Sequence, residues 1–363
     1  MRAILAGLMT ATVLAGGAWA QTLETRANGL EYPWSVAFLP DGRLLVTEKP
    51  GRLRIVDETG LVAAPVSGVP DVLHSGQGGL LDVAVAPDFE SSGEIYLTWS
   101  EGTPTDNTLH LGRGRLVDGG LVGFETLFSA EPRRRTDVHY GGRIAFVPDG
   151  LLLGIGDGFD FREQAQNPQT HFGSFVHLAL DGEPMPSPFD AAAPGVFSIG
   201  HRNPQAVVYD AASETIYAHE HGPQGGDEIN VLRPGANYGW PIASYGIDYT
   251  GALVTPFERY DGMVEPILAW VPSIAPSGMA VYHGDMFPEW EGDLLVSALI
   301  AGDADTPSGH VRRVDLEDGA VVGQDVWFGE LGARIRDVRV GPDGAIWLLT
   351  DAADGQLVRV SRD

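Results

Sequence analysis

The sequence predicts an all-β chain folded as a six-bladed β-propeller. A pattern of two apolar runs, joined by a turn that contains aspartate, recurs six times, and each copy is typical of a hairpin. No helical periodicity of useful length appears after residue 20, while 48 glycines and 25 prolines indicate turns between short strands. Six hairpins in an all-β chain favour six blades. A two-sheet sandwich is the alternative, but it does not explain the sixfold recurrence.

The six hairpins follow one another along the whole chain. Their turn aspartates lie unevenly, and roughly 60 residues apart on average, which is longer than a typical blade period. These residues are Asp41, Asp88, Asp149, Asp210, Asp285 and Asp343. Each blade needs two more strands from the flanking segments, such as 51–57 after the first hairpin and 356–362 after the last. The longest insertions are expected at 101–136 and 241–275, and long loops on a rigid scaffold are where sites are built. We expect Thr22 to Arg26 to complete the last blade and so close the ring.

The first twenty residues have the pattern of a secretory signal. An apolar run follows Arg2, and a small-residue cleavage site spans Ala18 to Ala20. The apolar run is too short to span a membrane, so no membrane insertion is expected. The predicted organisation is a signal peptide at 1–20 and a single catalytic propeller domain at 21–363, located in the periplasm or secreted.

Composition excludes several classes of function. The chain has no cysteine, which rules out a cysteine nucleophile and a thiolate zinc site. Its formal net charge of −26 repels nucleic acid and anionic membranes. Lys49 is the only lysine among 23 basic residues, so a cationic contact in this chain will nearly always be a guanidinium. An anionic ligand therefore needs locally concentrated arginines.

Residues 199–240 carry two polar clusters that flank one short strand. The first contains Arg202, Asn203 and Gln205, a guanidinium and two amides suited to planar carboxylates. The second begins at Glu220 and offers carboxylates and carbonyls in a glycine-rich turn, which suits a hard cation such as calcium. A glycine and proline turn with solvated charges is the alternative interpretation.

A histidine and two arginines are further candidates. His139 precedes a strand beside two glycines, and Asp157 closes the same hairpin, so the histidine can act as a general base. Its alternative is a surface histidine near a turn. Arg334 and Arg336 alternate along a strand and so face one side, where with Arg202 they would form a positive pocket for an anionic ligand. A solvated pair on an edge strand is the alternative.

Gln77 adds a candidate in another glycine-rich loop that enters a strand, and a plain turn is the alternative interpretation. Phosphate-cradling and serine-hydrolase motifs are missing from the sequence. It has no Walker loop, no G-x-S-x-G elbow and no G-x-G-x-x-G between a strand and a helix. The sequence therefore points to a ligand on the propeller axis rather than to a nucleotide fold.

Eight segments together resemble the soluble, periplasmic aldose sugar dehydrogenases that use pyrroloquinoline quinone (PQQ), within the glucose/sorbosone dehydrogenase family. They occur in the family order from residue 32 to the C-terminus. The segments are YPWSVAFLPDGRLLVTEKPGRLRIV, GQGGLLDVAVAPDF, VHYGGRIAFVPDG, GHRNPQ, EHGPQGGDEIN, NYGWPIASYGIDY, SIAPSGMAVY and RIRDVRVGPDG. Each is weak alone, and the set is specific.

The resemblance implies PQQ and calcium on the axis of a six-bladed propeller. It makes His139 the general base, with Asp157 nearby, for removal of the C1 hydroxyl proton as hydride passes to the quinone. The residues that it places around PQQ are Gln77, Arg202, Asn203, Tyr249, Arg334 and Arg336. It assigns the calcium beside PQQ to the backbone carbonyls of Gly222 and Pro223. It assigns a further calcium to Glu228 and Tyr238.

The resemblance also implies an aldose substrate and an external electron acceptor, which is a quinone, a dye or a cytochrome. One departure concerns a lysine that the family often has, because Ile300 stands at that position. A calcium-dependent propeller hydrolase such as a lactonase, which would not need the arginine set, stays open. So does a non-enzymatic ligand-binding propeller, for which Ile300 is the best argument. The sugar, the acceptor and the choice between monomer and homodimer are not determined.

Overall fold

A computed structural model describes residues 21–362, and the predicted signal peptide at 1–20 lies outside this range. The described chain forms six four-stranded antiparallel sheets, which confirms the all-β class and the six-bladed propeller. The strands are β1 (Gln21–Leu30), β2 (Pro33–Phe38), β3 (Leu44–Glu48), β4 (Arg52–Asp57), β5 (Gly60–Leu61), β6 (Leu80–Val85), β7 (Glu94–Thr103), β8 (Asp106–Val117), β9 (Gly120–Ser129), β10 (Gly141–Val147), β11 (Gly150–Ile155), β12 (Ser174–Leu178), β13 (Val196–Ile199), β14 (Pro204–Asp210), β15 (Thr215–Glu220), β16 (Asp227–Val231), β17 (Leu268–Trp270), β18 (Pro276–Val281), β19 (Leu294–Ala298), β20 (His310–Glu317), β21 (Ala320–Trp327), β22 (Ile335–Val340), β23 (Ile346–Thr350) and β24 (Gly355–Arg362).

Helices in the described range are short. One α-helical turn, α1, spans Phe89–Ser92. Three 3-10 segments also connect strands: Arg162–Gln166, Pro288–Trp290 and Gly329–Leu331. None of the helices in residues 21–362 is long and apolar enough to cross a membrane. The site must therefore be built from strand ends and loops.

The six predicted hairpins form the two inner strands of the six blades, for example β2–β3 and β22–β23. Their turns are closed locally, as where the Asp41 carboxylate accepts the backbone N–H of Arg43 at 3.1 Å. The predicted ring closure is also found. β1 pairs with β24, and Leu23 lies opposite Val360, so the N-terminal strand completes the C-terminal blade.

The prediction that residues 101–136 form a long insertion is wrong. Strands β7, β8 and β9 occupy most of it and form the outer part of the second blade, because β7 continues past the predicted hairpin and pairs with β8 along its whole length. The second expected insertion, 241–275, is mostly loop and contains only the short β17. This loop reaches the end of the propeller where the candidate site lies.

Arg143 lies where the six inner strands meet. Its guanidinium contacts residues of the other five inner strands. It pairs with the carboxylates of Asp82 at 3.3 Å and Asp337 at 3.1 Å. It also donates to the carbonyls of Gln205 at 2.9 Å, Ser277 at 3.1 Å and Trp34 at 3.4 Å, and lies 3.9 Å from the Trp34 ring. Arg143 itself belongs to β10. Cavities lie at the two ends of the axis, and their residues differ in chemistry. The end with the hairpin turns is mainly apolar, with Phe38, Phe146 and Val281 in its wall.

Candidate active site

The polar candidates collect at one end of the propeller because of hairpin geometry. In an antiparallel hairpin the start of the first strand and the end of the second lie at the same edge. His139 and Arg202 precede first strands β10 and β14, whereas Asp157 follows the second strand β11. Repetition of the hairpin around the ring brings residues that are distant in sequence to one face. Side-chain chemistry, rather than cavity size, distinguishes this face from the apolar opposite end.

His139 and Asp157 form a buried pair. Nδ1 of the imidazole lies 2.7 Å from Oδ1 of the carboxylate. Asp157 also accepts the backbone N–H of Phe159 and the indole N–H of Trp240, each at 2.7 Å. The carboxylate therefore has a fixed orientation, and it holds the proton of the neutral imidazole on Nδ1. Nε2 is left as the basic nitrogen.

The backbone of His139 is held as firmly as its ring. Its φ of 54° lies in the left-handed region, which is costly for a residue other than glycine. Two hydrogen bonds stabilise this conformation: the N–H donates to Oε1 of Gln77 at 2.7 Å, and the carbonyl accepts from Arg134 at 2.8 Å. Gln77 thus supports the candidate base directly, and its amide nitrogen is the end left for a ligand.

Burial and neighbouring charges set the protonation states of the pair. Burial lowers the pKa of His139, and the charges of Arg202 and Arg134 add to this, while the hydrogen bond to Asp157 opposes it. Burial alone would raise the pKa of Asp157, but its hydrogen bond to His139 and nearby positive charges bring the pKa below its ordinary value. Near neutral pH the imidazole is therefore neutral and the carboxylate ionised, as a general base requires.

Two neighbouring cavities divide the predicted ligand-binding residues. The His139 cavity has a volume of about 370 Å³ and is lined by His139, Asp157, Phe159, Asp160, Arg162, Arg202, Pro223, Trp240, Asp248, Tyr249 and Thr250. The axial cavity has a volume of about 260 Å³ and is lined by Trp34, Lys49, Gln77, Leu81, Tyr140, Gly141, Asn203, Gln205, His221, Ala275, Leu299, Arg334 and Arg336. The predicted positive pocket is therefore distributed over both.

Arg202 lies in the His139 cavity and not with the other two arginines. Its guanidinium donates to the carbonyls of His221 at 3.1 Å and Gly222 at 2.5 Å, and lies 5.2 Å from the ring of Trp240. Its backbone N–H donates to the buried carboxylate of Glu220. Arg202 thus connects the histidine side of the site to the loop predicted to bind calcium.

Arg334 and Arg336 face the same side, as their alternation predicts. Both bond to one carboxylate of Asp351, at 2.8 Å and 3.1 Å, so part of their charge is balanced within the chain. Asp351 lies 15 and 17 residues further along the chain, and no local pattern in the sequence identifies it as their partner. Nε of Arg336 is buried and has no hydrogen-bond partner among residues 21–362. An unpaired buried donor in a cationic cavity fits an acceptor supplied by an anionic ligand.

The loop predicted to bind calcium offers mainly backbone oxygens. Within residues 21–362 no three histidine, cysteine, aspartate or glutamate side chains converge on one point, so a cation there relies on carbonyls such as those of Gly222 and Pro223. Burial and the nearby charge of Glu220 raise the pKa of Glu228 well above its ordinary value, which a cation would relieve. The hydroxyl of Tyr238 already donates to the Val231 carbonyl at 2.7 Å.

Several functional positions were missed from the sequence. Trp240 bonds to Asp157 from the loop of another blade, and Asp351 balances the arginine pair. Lys49 lines the axial cavity; its unique occurrence was the available signal. Ile300 lies instead in a third cavity of about 730 Å³, beside Gly222 and Pro223. We name it the rim cavity; Tyr249 and His221 also line it.

Comparisons with known proteins agree with this architecture. The family model described as Glucose / Sorbosone dehydrogenase matches residues 30–359. Aldose sugar dehydrogenase YliI of Escherichia coli (strain K12) is 40% identical over 350 residues, which cover 93% of this chain and 92% of the relative. The soluble aldose sugar dehydrogenase of Escherichia coli, solved in its apo-form, has a TM-score of 0.88 at 38% identity and covers 95% of this chain and 100% of its own.

A further solved structure carries a named ligand. It is the PQQ-bound form of aldose sugar dehydrogenase from Streptomyces coelicolor, similar with a TM-score of 0.74 and 29% identity over 94% of this chain and 99% of that one. The family match includes strands of all six sheets, and the segments that build the candidate site fall within it. The chain therefore belongs to the glucose/sorbosone dehydrogenase family.

Proposed function

We propose that this protein is a PQQ- and calcium-dependent aldose sugar dehydrogenase that oxidises the C1 hydroxyl of an aldose to a lactone. The observation that carries the proposal is the buried His139–Asp157 pair beside a cavity lined by Arg334 and Arg336. A base and a cationic cavity at one end of a propeller match the needs of an oxidation that uses an anionic quinone. Similarity to aldose sugar dehydrogenases over nearly the whole chain supports it.

The residues of the chain have separable roles in this proposal. Nε2 of His139 accepts the proton of the substrate C1 hydroxyl, and Asp157 stabilises the imidazolium that forms. Trp240 fixes the carboxylate, and Phe159 packs edge-on against the imidazole at 5.2 Å between ring centroids, which limits access of water. When bound, PQQ supplies the two-electron acceptor and calcium a Lewis acid beside it.

The chain offers donors of the kind that such a cofactor needs. Arginines and amides would hold the carboxylates of PQQ; they are Arg202, Arg334, Arg336, Gln77 and Asn203, with Tyr249 at the edge of the His139 cavity. The carbonyls of Gly222 and Pro223 would hold the calcium next to it, and Glu228 and Tyr238 a further one. Because the Tyr238 hydroxyl is already bonded, its backbone carbonyl is the group that we assign.

Localisation, domain organisation, electron acceptor and oligomeric state complete the proposal. We propose export to the periplasm or the medium after removal of residues 1–20, and a single catalytic domain at 21–363. The electron acceptor is external, a quinone, a dye or a cytochrome, and the protein is a monomer or homodimer. N-terminal sequencing of protein recovered from the periplasm and the medium tests the first point: a start at Gln21 is expected, and an intact Met1 contradicts it.

The cofactor assignment is tested by calorimetric titration of purified protein with PQQ, with calcium and with a chelator. We expect binding only with calcium, because the partly negative carbonyl oxygens of Gly222 and Pro223 would repel an anionic quinone unless a cation balanced the charge. Addition of glucose and a dye should then produce dye reduction. Equal PQQ binding under both conditions contradicts the calcium requirement. Lactone hydrolysis without PQQ would instead favour the calcium-dependent hydrolase. PQQ binding without sugar oxidation would favour a non-enzymatic binding protein.

A further inference from the structure

Lys49 lies directly after β3, at the end of the propeller that carries the site. Its Nζ donates to the carbonyl of Gly76 at 3.1 Å. The backbone on both sides is fixed, since the Lys49 N–H donates to Tyr32 at 3.1 Å and its carbonyl accepts from Leu80 at 3.0 Å. The side chain therefore has a rigid base and projects towards the axial cavity, whose wall it shares with Arg334 and Arg336.

The charge of Lys49 is incompletely balanced. Within residues 21–362 no carboxylate oxygen lies within 4.0 Å of its Nζ, whereas Arg334 and Arg336 share Asp351. Burial lowers the pKa of Lys49, and the charge of Arg336 lowers it further, while Asp351 opposes the shift. Three cations therefore line the axial cavity on this side, and the one carboxylate of Asp351 is shared by two of them. An anionic ligand is the missing counter-charge.

Ile300 cannot supply this contact. It lines the rim cavity beside Gly222 and Pro223, and 39% of its surface is exposed. A cation at position 300 would approach the calcium loop, whereas Lys49 approaches the axial cavity that Gln77 and Arg336 line. The two positions line different cavities, which adjoin because His221 and Ala275 line both.

We propose that Lys49 binds a carboxylate of the anionic cofactor in the axial cavity. The identity of that cofactor as PQQ rests on the proposed function. Lys49 binds the ligand and takes no part in proton transfer, since His139 performs that step in the other cavity. The contact would add to those of Arg334 and Arg336.

The unique lysine allows a direct test on the wild-type protein. An amine-reactive acetylating reagent can modify only Lys49 and the N-terminal amine, and peptide mass spectrometry separates the two. We expect PQQ with calcium to slow the acetylation of Lys49 by about tenfold or more, which corresponds to occupancy above 90%. The rate at the N-terminal amine should not change. Equal rates at Lys49 with and without PQQ, at concentrations shown to saturate the protein, overturn the assignment.

Variants give an independent measurement of the same contact. Lys49→Met should weaken PQQ binding by about 10- to 100-fold, the size expected for one charge-assisted hydrogen bond. Lys49→Arg should stay within about threefold of wild type because it keeps the charge. Arg115→Met, an exposed change on β8, is the matched control and should bind normally. Thermal unfolding of each variant verifies that it is folded.

The outcomes separate this inference from the proposed function. If wild type binds PQQ and Lys49→Met binds equally well, the Lys49 assignment is wrong and the proposed function stands. If wild type binds no PQQ with calcium present, both are wrong.

Discussion

At the scale of single residues, the site depends on side chains whose freedom has been removed. His139 combines a left-handed backbone with a ring held by Asp157, and its N–H and carbonyl are both bonded. Asp157 in turn accepts from a backbone amide and from Trp240. Preorganisation of this kind lets a base act without rearrangement during the reaction.

We expect His139→Gln to lower the rate of sugar oxidation by about 10²- to 10⁴-fold, the usual contribution of a positioned base. PQQ affinity should change little, because in the proposed function arginines and calcium, not the imidazole, would balance the charge of the cofactor. Single-turnover dye reduction at saturating PQQ and calcium measures the rate, and calorimetry the affinity. His283→Gln is the control: this histidine bonds to Asp210 at the opposite end of the propeller. Near-normal turnover of His139→Gln would show that His139 is not the base.

The pH dependence follows from the lowered pKa of His139. Because its pKa is lowered, the imidazole stays neutral at pH values down to, and below, the ordinary histidine pKa of about 6.5. Activity should therefore be maintained through neutral pH. The rate should decline only on the acid side of that value, where protonated imidazole cannot accept a proton. A pH–rate profile from 4.5 to 8 measures this, and a midpoint above 7 contradicts the assignment.

At the scale of elements, the repeated hairpin both builds the blades and delivers the functional residues. Each hairpin has its turn at one end and its strand start at the other, so all the candidates before first strands share a face. Closure depends on one non-local pairing, that of β1 with β24. β1 contributes the buried residues Ala27 and Leu30 to the core between the first and last blades.

Removal of residues 21–30 should destabilise the whole propeller. Loss of the buried Leu30 side chain alone should lower the free energy of unfolding by about 1.5–3 kcal/mol. Without β1, the edge of β24 also becomes exposed and loses its hydrogen-bond partners. Urea unfolding of protein beginning at Glu31 should therefore show a lower midpoint than protein beginning at Gln21. Glu24→Ala, a substitution within β1 that leaves the strand intact, serves as the control. Identical midpoints for the two lengths would mean that β1 does not hold the ring closed.

At the scale of the whole molecule, one side chain joins all six blades. Arg143 pairs with Asp82 and Asp337 and also bonds to three carbonyls of other inner strands. Its position in the chain reveals nothing of this, since the partners are up to 194 residues away. The ring brings them together because each blade places its inner strand on the axis.

We expect Arg143→Met to lower the free energy of unfolding by about 3–5 kcal/mol, because Asp82 and Asp337 would remain buried without their partner. Chemical denaturation measures the change. Arg115→Met, at an exposed position, should stay within about 0.5 kcal/mol of wild type. A loss below 1 kcal/mol for Arg143→Met would show that other groups, such as Arg339, already neutralise the two carboxylates.

The sequence by itself determined the features that depend on neighbouring residues. Hairpin alternation predicted the inner strands, and the closing role of the N-terminal segment followed from an incomplete last blade. His139 and Asp157 were paired correctly because they lie at the two ends of one hairpin. The common facing of Arg334 and Arg336 followed from strand periodicity alone.

Only the tertiary structure decided which residues from different blades meet. Asp351 balances Arg334 and Arg336, Trp240 orients Asp157 from another blade, and Lys49 joins the axial cavity. The same geometry separates Arg202 from the arginine pair and gives the segment 101–136 to blade strands. These contacts depend on the curvature of the closed ring and on the paths of its loops. The apolar periodicity of the sequence cannot predict them, because periodicity reports only which face of a strand is buried.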